Sequence, residues 1–331
     1  MKKGVKIAIC IVVALVLAIG IFAIVWFKGK NYKHFYAKAK AEFAIPGLDQ
    51  GLVPQGLTYH ESSENFLVTG YMKDGSASRI YIVGENTKYF TLKTDGTDYV
   101  GHAGGIATYG EYGYLVGDKK LCIFNINDAL ALDNGGSVNI LATFDTPNGG
   151  DFINIHDGKV YLGEFYHETK YPTNAKHHIT TADNKMNYAV TYVYDIQDAT
   201  PGNPYHFYVN DPTFAISTTE KVQGMCIAPT GEVVLSTSWS LADSKVFIHK
   251  SLSSLETQTF EFDDDKNINM YVLDSTNLLT TLELPSMSEE VTIKDGKVYV
   301  IFENACTKYK LVTRHKNTTA YSFDVKDFLE D

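Results

Sequence analysis

At 331 residues the chain is long enough to bury a large core, and 44% hydrophobic with 21% charged content is the balance of a folded protein. The net charge is −10, and with Lys2, Lys3 and Lys6 set aside the rest of the chain carries about −13. A surface this acidic repels phosphate backbones, which excludes nucleic acid as a partner. Beyond Cys10, the three cysteines Cys122, Cys226 and Cys306 include no C-x-x-C, so they form neither a disulfide framework nor a zinc site and are expected as buried thiols.

In chain order, Ile7 to Phe27 is an uncharged apolar run of bilayer-crossing length, longer than a signal-peptide core and without a small-x-small cleavage site. It predicts a transmembrane signal anchor over residues 1–30 and a juxtamembrane linker over 31–41. The membrane is then a partner, and the localisation is single-pass with the bulk of the chain extracytoplasmic.

Residues 42–331 repeat at a period of about 45, the mark of a propeller or solenoid. Units open at Gln55-Gly56-Leu57-Thr58, Gly104-Gly105-Ile106-Ala107, Gly150-Asp151-Phe152-Ile153, Gln223-Gly224-Met225-Cys226 and Glu289-Glu290-Val291-Thr292. Each opening meets a turn, most clearly Asp157-Gly158 and Asp295-Gly296, and a second apolar strand follows. In the fourth unit, either Lys245–Ile248 or Met270–Leu273 is the third strand and the other belongs to an inserted hairpin. The last unit ends one strand short, and Glu42 to Pro46 is the candidate to close the ring and remove its open edge. The fold expected is all-β, a β-propeller of five blades preceded by one transmembrane helix; six blades and a β-sandwich are the alternatives.

In such a blade, strand-one starts and strand-two ends emerge on one face, so polar residues distant in sequence converge on a channel mouth. The candidates there are Gln55, Tyr71, His102, Asp118, Tyr166, Gln223, Trp239, Glu289 and Glu303, with Asp151 and Glu164 as the acid–base pair. Asp151, Glu164, Glu289 and Glu303 are also oxygen donors suited to a divalent cation such as calcium. His102 reads first as a contact between neighbouring units. The loop His167 to Asn187 is long enough to act as a lid, with His177-His178 expected in solvent. Asp263-Asp264-Asp265 lacks calcium-loop spacing and reads as a solvated turn.

Two function classes follow. One is a binding module for a small-molecule, cationic or peptide ligand; the other is a hydrolase or cyclase that uses channel carboxylates as general acid and base. Phosphate-loop, dinucleotide, H-E-x-x-H and G-x-S-x-G motifs are absent.

The Q-G-apolar openings with Asp-Gly hairpins resemble bacterial secreted or membrane-anchored β-propellers. The gluconolactonase-like group implies a channel metal held by carboxylate and Asn ligands. The plant-type glutaminyl cyclases imply five blades, with Gln55 and Glu164 at polar channel positions. Gly150-Asp151-Phe152-Ile153 departs from the Asn-Glu-Leu-Glu-type segment of those cyclases, so their activity is not carried over.

Overall fold

A computed structural model describes residues 4–5, 10–18, 20 and 31–329. Among the described residues no helix is long and apolar enough to cross a membrane. That overturns the expected single-pass anchor and the membrane localisation built on it; residues 1–3, 6–9, 19 and 21–30 of that stretch lie outside the described residues. A short helix, Lys33–Lys38, buries Phe35 against Phe302, Tyr321 and Phe323.

The strands in chain order are β1 Lys40–Ala44, β2 Leu52–His60, β3 Asn65–Met72, β4 Arg79–Val83, β5 Lys88–Thr94, β6 Thr97–Asp98, β7 Gly105–Tyr109, β8 Tyr112–Gly117, β9 Lys120–Asn125 and β10 Gly136–Asp145. They continue as β11 Phe152–His156, β12 Lys159–Gly163, β13 Ile179–Thr180, β14 Met186–Asn187, β15 Ala189–Asp195, β16 Phe214–Thr218 and β17 Val222–Ile227. The last are β18 Val233–Thr237, β19 Ser244–His249, β20 Thr257–Asp263, β21 Lys266–Val272, β22 Leu278–Leu284, β23 Ser288–Lys294, β24 Lys297–Phe302 and β25 Thr319–Phe323.

Antiparallel pairing groups them as β2-β3-β4-β5, β7-β8-β9-β10, β11-β12-β15-β16, β17-β18-β19-β22 and β23-β24-β25-β1. The first strands form a ring: β2 lies against β7, β7 against β11, β11 against β17, β17 against β23, and β23 against β2. This radial arrangement is a β-propeller.

Apolar clusters fill the gaps between neighbouring sets. Leu67, Ile80 and Phe90 meet Ile106, Leu115 and Phe124 in one gap; Phe152 and Val193 meet Met225 and Leu235 in another. Cys122, Cys226 and Cys306 are buried free thiols, each within such a cluster. The hairpin turns follow local chemistry. Asp157 and Gly158 both hold positive φ, 46° and 67°, the geometry a two-residue I′ turn demands.

Two departures from simple repetition matter. The first half of β10 pairs in parallel with β5, so this strand joins two sets. In the fourth set β19 is the third strand, while β20 and β21 form the inserted hairpin, which pairs in parallel with β16 of the preceding set.

Candidate functional site

The inner strands bend where the chemistry sits. Register shifts by one residue between Pro54 and Leu57, between Val222 and Gly224, and between Ser288 and Val291, which is a bulge at the Gln-Gly or Glu-Glu opening of each strand. A bulge re-aims side chains, and here it sends neighbouring residues to different places.

Glu290 points into the axis. Its Oε2 accepts from the backbone N–H of Leu57 at 2.7 Å and Ile106 at 3.1 Å, and its Oε1 accepts from Ile153 N–H at 3.1 Å. One carboxyl group therefore ties three other sets to the fifth. Burial pushes this carboxyl well above the usual range, and the three amide donors oppose that push. Two of the unit openings carry glycine for this reason. A Cβ on Gly56 or Gly105 would lie 3.2 Å or 2.8 Å from the Glu290 carboxyl oxygens, so the inner strands approach only without one.

Glu289, the preceding residue, turns to the mouth. It is buried, and its Oε1 has no hydrogen-bond partner. Burial and the neighbouring Glu303 both push its carboxyl well above the usual range. Glu303 directly follows β24 and accepts from Gln55 Nε2 at 3.0 Å. Burial raises its pKa to about 8, against the pull of Lys308 and the Gln55 hydrogen bond.

Tyr71 closes one side of this pair, its ring stacked on His102 at 5.0 Å and 28°. Burial and the Glu303 charge push its phenol well up. Lys308 leans over it: Nζ donates to Tyr71 Oη at 2.5 Å and lies 4.8 Å and 4.9 Å from the Tyr71 and Tyr309 ring centroids. His102 is exposed, and its backbone N–H donates to Asp118 Oδ2 at 2.8 Å.

The second carboxylate pair sits on the third set. Asp151 is half-buried, and its Oδ2 accepts from Phe165 N–H at 2.7 Å. Burial, with Glu164 and Asp118 adding to it, raises its pKa to about 7. Glu164 is held mainly through one oxygen: Oε1 meets His177 Nδ1 at 2.6 Å and Val190 N–H at 2.9 Å, Oε2 accepts from Gly149 N–H at 3.4 Å, and His177 Nε2 meets Tyr192 Oη at 3.1 Å. All three side chains in that chain are buried.

The remaining candidates lie apart. Gln223 Nε2 donates to Ser238 Oγ at 3.2 Å. Trp239 packs on His167 at 4.1 Å and Phe165 at 5.8 Å. Tyr166 turns into the 167–187 loop and stacks on Tyr188 at 4.5 Å and 6°.

These placements correct three expectations. His177 is buried rather than in solvent, because the loop runs back into the third set and onto the inserted hairpin, where Lys176 pairs with Glu261 at 2.8 Å and Ala182 N–H donates to Asp274 Oδ2 at 3.1 Å. That half of the loop is docked and does not cover the mouth. Asp151, Glu164, Glu289 and Glu303 do not make one cation shell; they form two pairs, and among the described residues no group of three or more His, Cys, Asp or Glu is placed to hold a metal ion. Lys308 and the axial role of Glu290 were missed. The tandem acids at a unit opening were the available signal for Glu290, and no local pattern marks Lys308.

No family model matches the sequence, and no curated protein matches it. Among solved structures, the chain is similar to the PQQ-bound aldose sugar dehydrogenase of Streptomyces coelicolor, at 13% identity over 86% of this chain and 96% of that one, TM-score 0.44. It is also similar to a gluconolactonase from Xanthomonas campestris, at 9% identity over 87% and 94%, TM-score 0.39. A third is BamB from Moraxella catarrhalis, at 10% identity over 87% and 98%, TM-score 0.29. These likenesses are too distant to carry an argument about activity or ligand.

Proposed function

We propose that the chain is a five-bladed propeller that binds a small organic ligand at its channel mouth through Gln55, Tyr71, His102, Glu289 and Glu303. The observation that carries this reading is the buried, unpartnered Oε1 of Glu289 beside Glu303. Leaving such an atom unsatisfied costs about 1–3 kcal/mol, a cost a folded protein tolerates where a ligand supplies the missing donor. Glu290 and the inner-strand backbones fill the axis beneath, so the ligand enters and leaves by one face.

The test is a thermal-shift screen of the full chain with amines, amino acids, sugars and sugar acids. A compound that raises the wild-type melting temperature should lose that effect in Glu289→Gln and in Gln55→Ala. A shift that survives both substitutions removes the mouth as the site.

A second reading, hydrolase or cyclase, is favoured by Asp151. A half-buried carboxyl titrating at about 7 is poised for general acid–base work near neutral pH. Glu164, with Oε1 held by His177 and Val190, would position and not react. Under this reading Asp151→Asn abolishes turnover of a bound compound while leaving its affinity intact; unchanged turnover rules Asp151 out.

A further inference from the structure

Lys308 is an exposed side chain whose ammonium bends back into the mouth. There it meets two aromatic faces, those of Tyr71 and Tyr309, at 4.8 Å and 4.9 Å, and the Tyr71 hydroxyl at 2.5 Å, within the field of Glu303. Aromatic faces combined with a carboxylate are the composition that recognises an ammonium group. The chain thus carries a cation site with a cation of its own in it.

The fit is incomplete. Lys308 makes its contacts to Tyr71 and Tyr309, and Glu289 Oε1 keeps no partner. Lys308 is also weakly held. Contacts made by exposed lysines are typically worth about 1 kcal/mol or less, and ordering the long side chain costs up to about 2 kcal/mol of rotamer freedom. Releasing it is therefore cheap. A free ligand with three N–H donors on one nitrogen could satisfy both Glu303 and Glu289, which Lys308 does not.

We propose that the channel mouth is a cage for a protonated primary amine, and that Lys308 is its built-in stand-in, displaced when the ligand ammonium binds. The inference rests on the mouth being a ligand site and adds the class of ligand and the group it replaces. A primary amine fits better than a quaternary one, because only N–H donors pair with the orphaned oxygen. The cage also couples binding to protons. A buried and a half-buried carboxyl side by side, Glu289 and Glu303, retain a proton between them, and a cation set against them releases it.

The experiment is calorimetric titration of the full chain with n-butylammonium, n-butanol and tetramethylammonium, on wild type, Lys308→Met and Lys308→Met with Glu303→Gln. The expected result is n-butylammonium binding at least fivefold tighter to Lys308→Met than to wild type, with proton release at pH 7. The added Glu303→Gln should abolish the gain, and n-butanol and tetramethylammonium should bind at least fivefold more weakly than n-butylammonium. Tyr71→Phe, which keeps the ring but removes the hydroxyl that holds Lys308, should give a smaller gain of about twofold in n-butylammonium affinity.

Equal affinity in wild type, Lys308→Met and Tyr71→Phe overturns the displacement, and n-butanol binding as well as n-butylammonium overturns the ammonium class. If a neutral or anionic compound binds in a Glu289-dependent manner while n-butylammonium fails on Lys308→Met, the ammonium inference falls and the mouth remains a ligand site. If no compound shows Glu289-dependent binding, both fall.

Discussion

Glu289 and Glu290 are adjacent residues of one type on one strand, and they do opposite things. Glu290 accepts three backbone N–H bonds from three other sets and has become part of the scaffold. Glu289 keeps an oxygen without a partner and faces the mouth. The bulge between Ser288 and Val291 separates them. Burial alone does not distinguish a structural carboxyl from a functional one, since both are buried. The supply of donors does.

The largest expected effect breaks this comparison at Glu290. Glu290→Ala leaves three buried N–H groups without an acceptor, at about 1–3 kcal/mol each, so urea denaturation should show a loss of about 3–9 kcal/mol. Glu289→Gln removes no hydrogen bond and relieves the conflict with Glu303, so its stability should stay within about 1 kcal/mol of wild type or rise. A large loss in Glu289→Gln would show that this carboxyl is structural as well.

Much of the scaffold was legible because its signals are local. Asp157-Gly158 and Asp295-Gly296 mark tight turns by the positive φ they need, and alternating apolar runs mark the strands on either side. The site was legible only in part. Gln55, Glu289 and Glu303 were placed together from strand order alone, and the structure brings their side chains into contact or interaction with one another. His177 could not be read correctly, since its burial depends on where the loop goes after Tyr171, and that is set by non-local contacts with Glu164, Tyr192 and the β20–β21 hairpin. Lys308 was invisible for the same reason: Glu303 lies close to it in sequence, but Tyr71 reaches it only through the closure of the ring.

The second effect sharpens the comparison through pH. Glu303 is raised to about 8 and Asp151 to about 7 in the folded chain. Each binds its proton more tightly folded than unfolded, so its contribution is fully present below the ordinary carboxylate pKa and is lost as pH rises through the folded value. Urea midpoints of wild type should therefore fall between about pH 5 and pH 9. Glu303→Gln should flatten the fall throughout, including its part above pH 7, whereas Asp151→Asn should flatten only the lower part. A midpoint that stays level between about pH 7 and pH 9 would mean that Glu303 is already ionised in the folded chain at neutral pH.

The smallest effects contrast two neighbours on the docked loop. His177 is buried between Glu164 and Tyr192, whereas Lys176 pairs with Glu261 in the open, with half of its side chain exposed. His177→Ala removes both buried contacts and should cost about 1–3 kcal/mol, with trypsin cutting faster at Lys170 and Lys185 as the loop loosens. Lys176→Ala should leave both the melting temperature and the cutting rate at those two sites unchanged within error, because solvent and salt already screen its pair. Equal loosening by the two substitutions would mean that the rim contact to Glu261, and not the buried histidine, holds the loop against the third set.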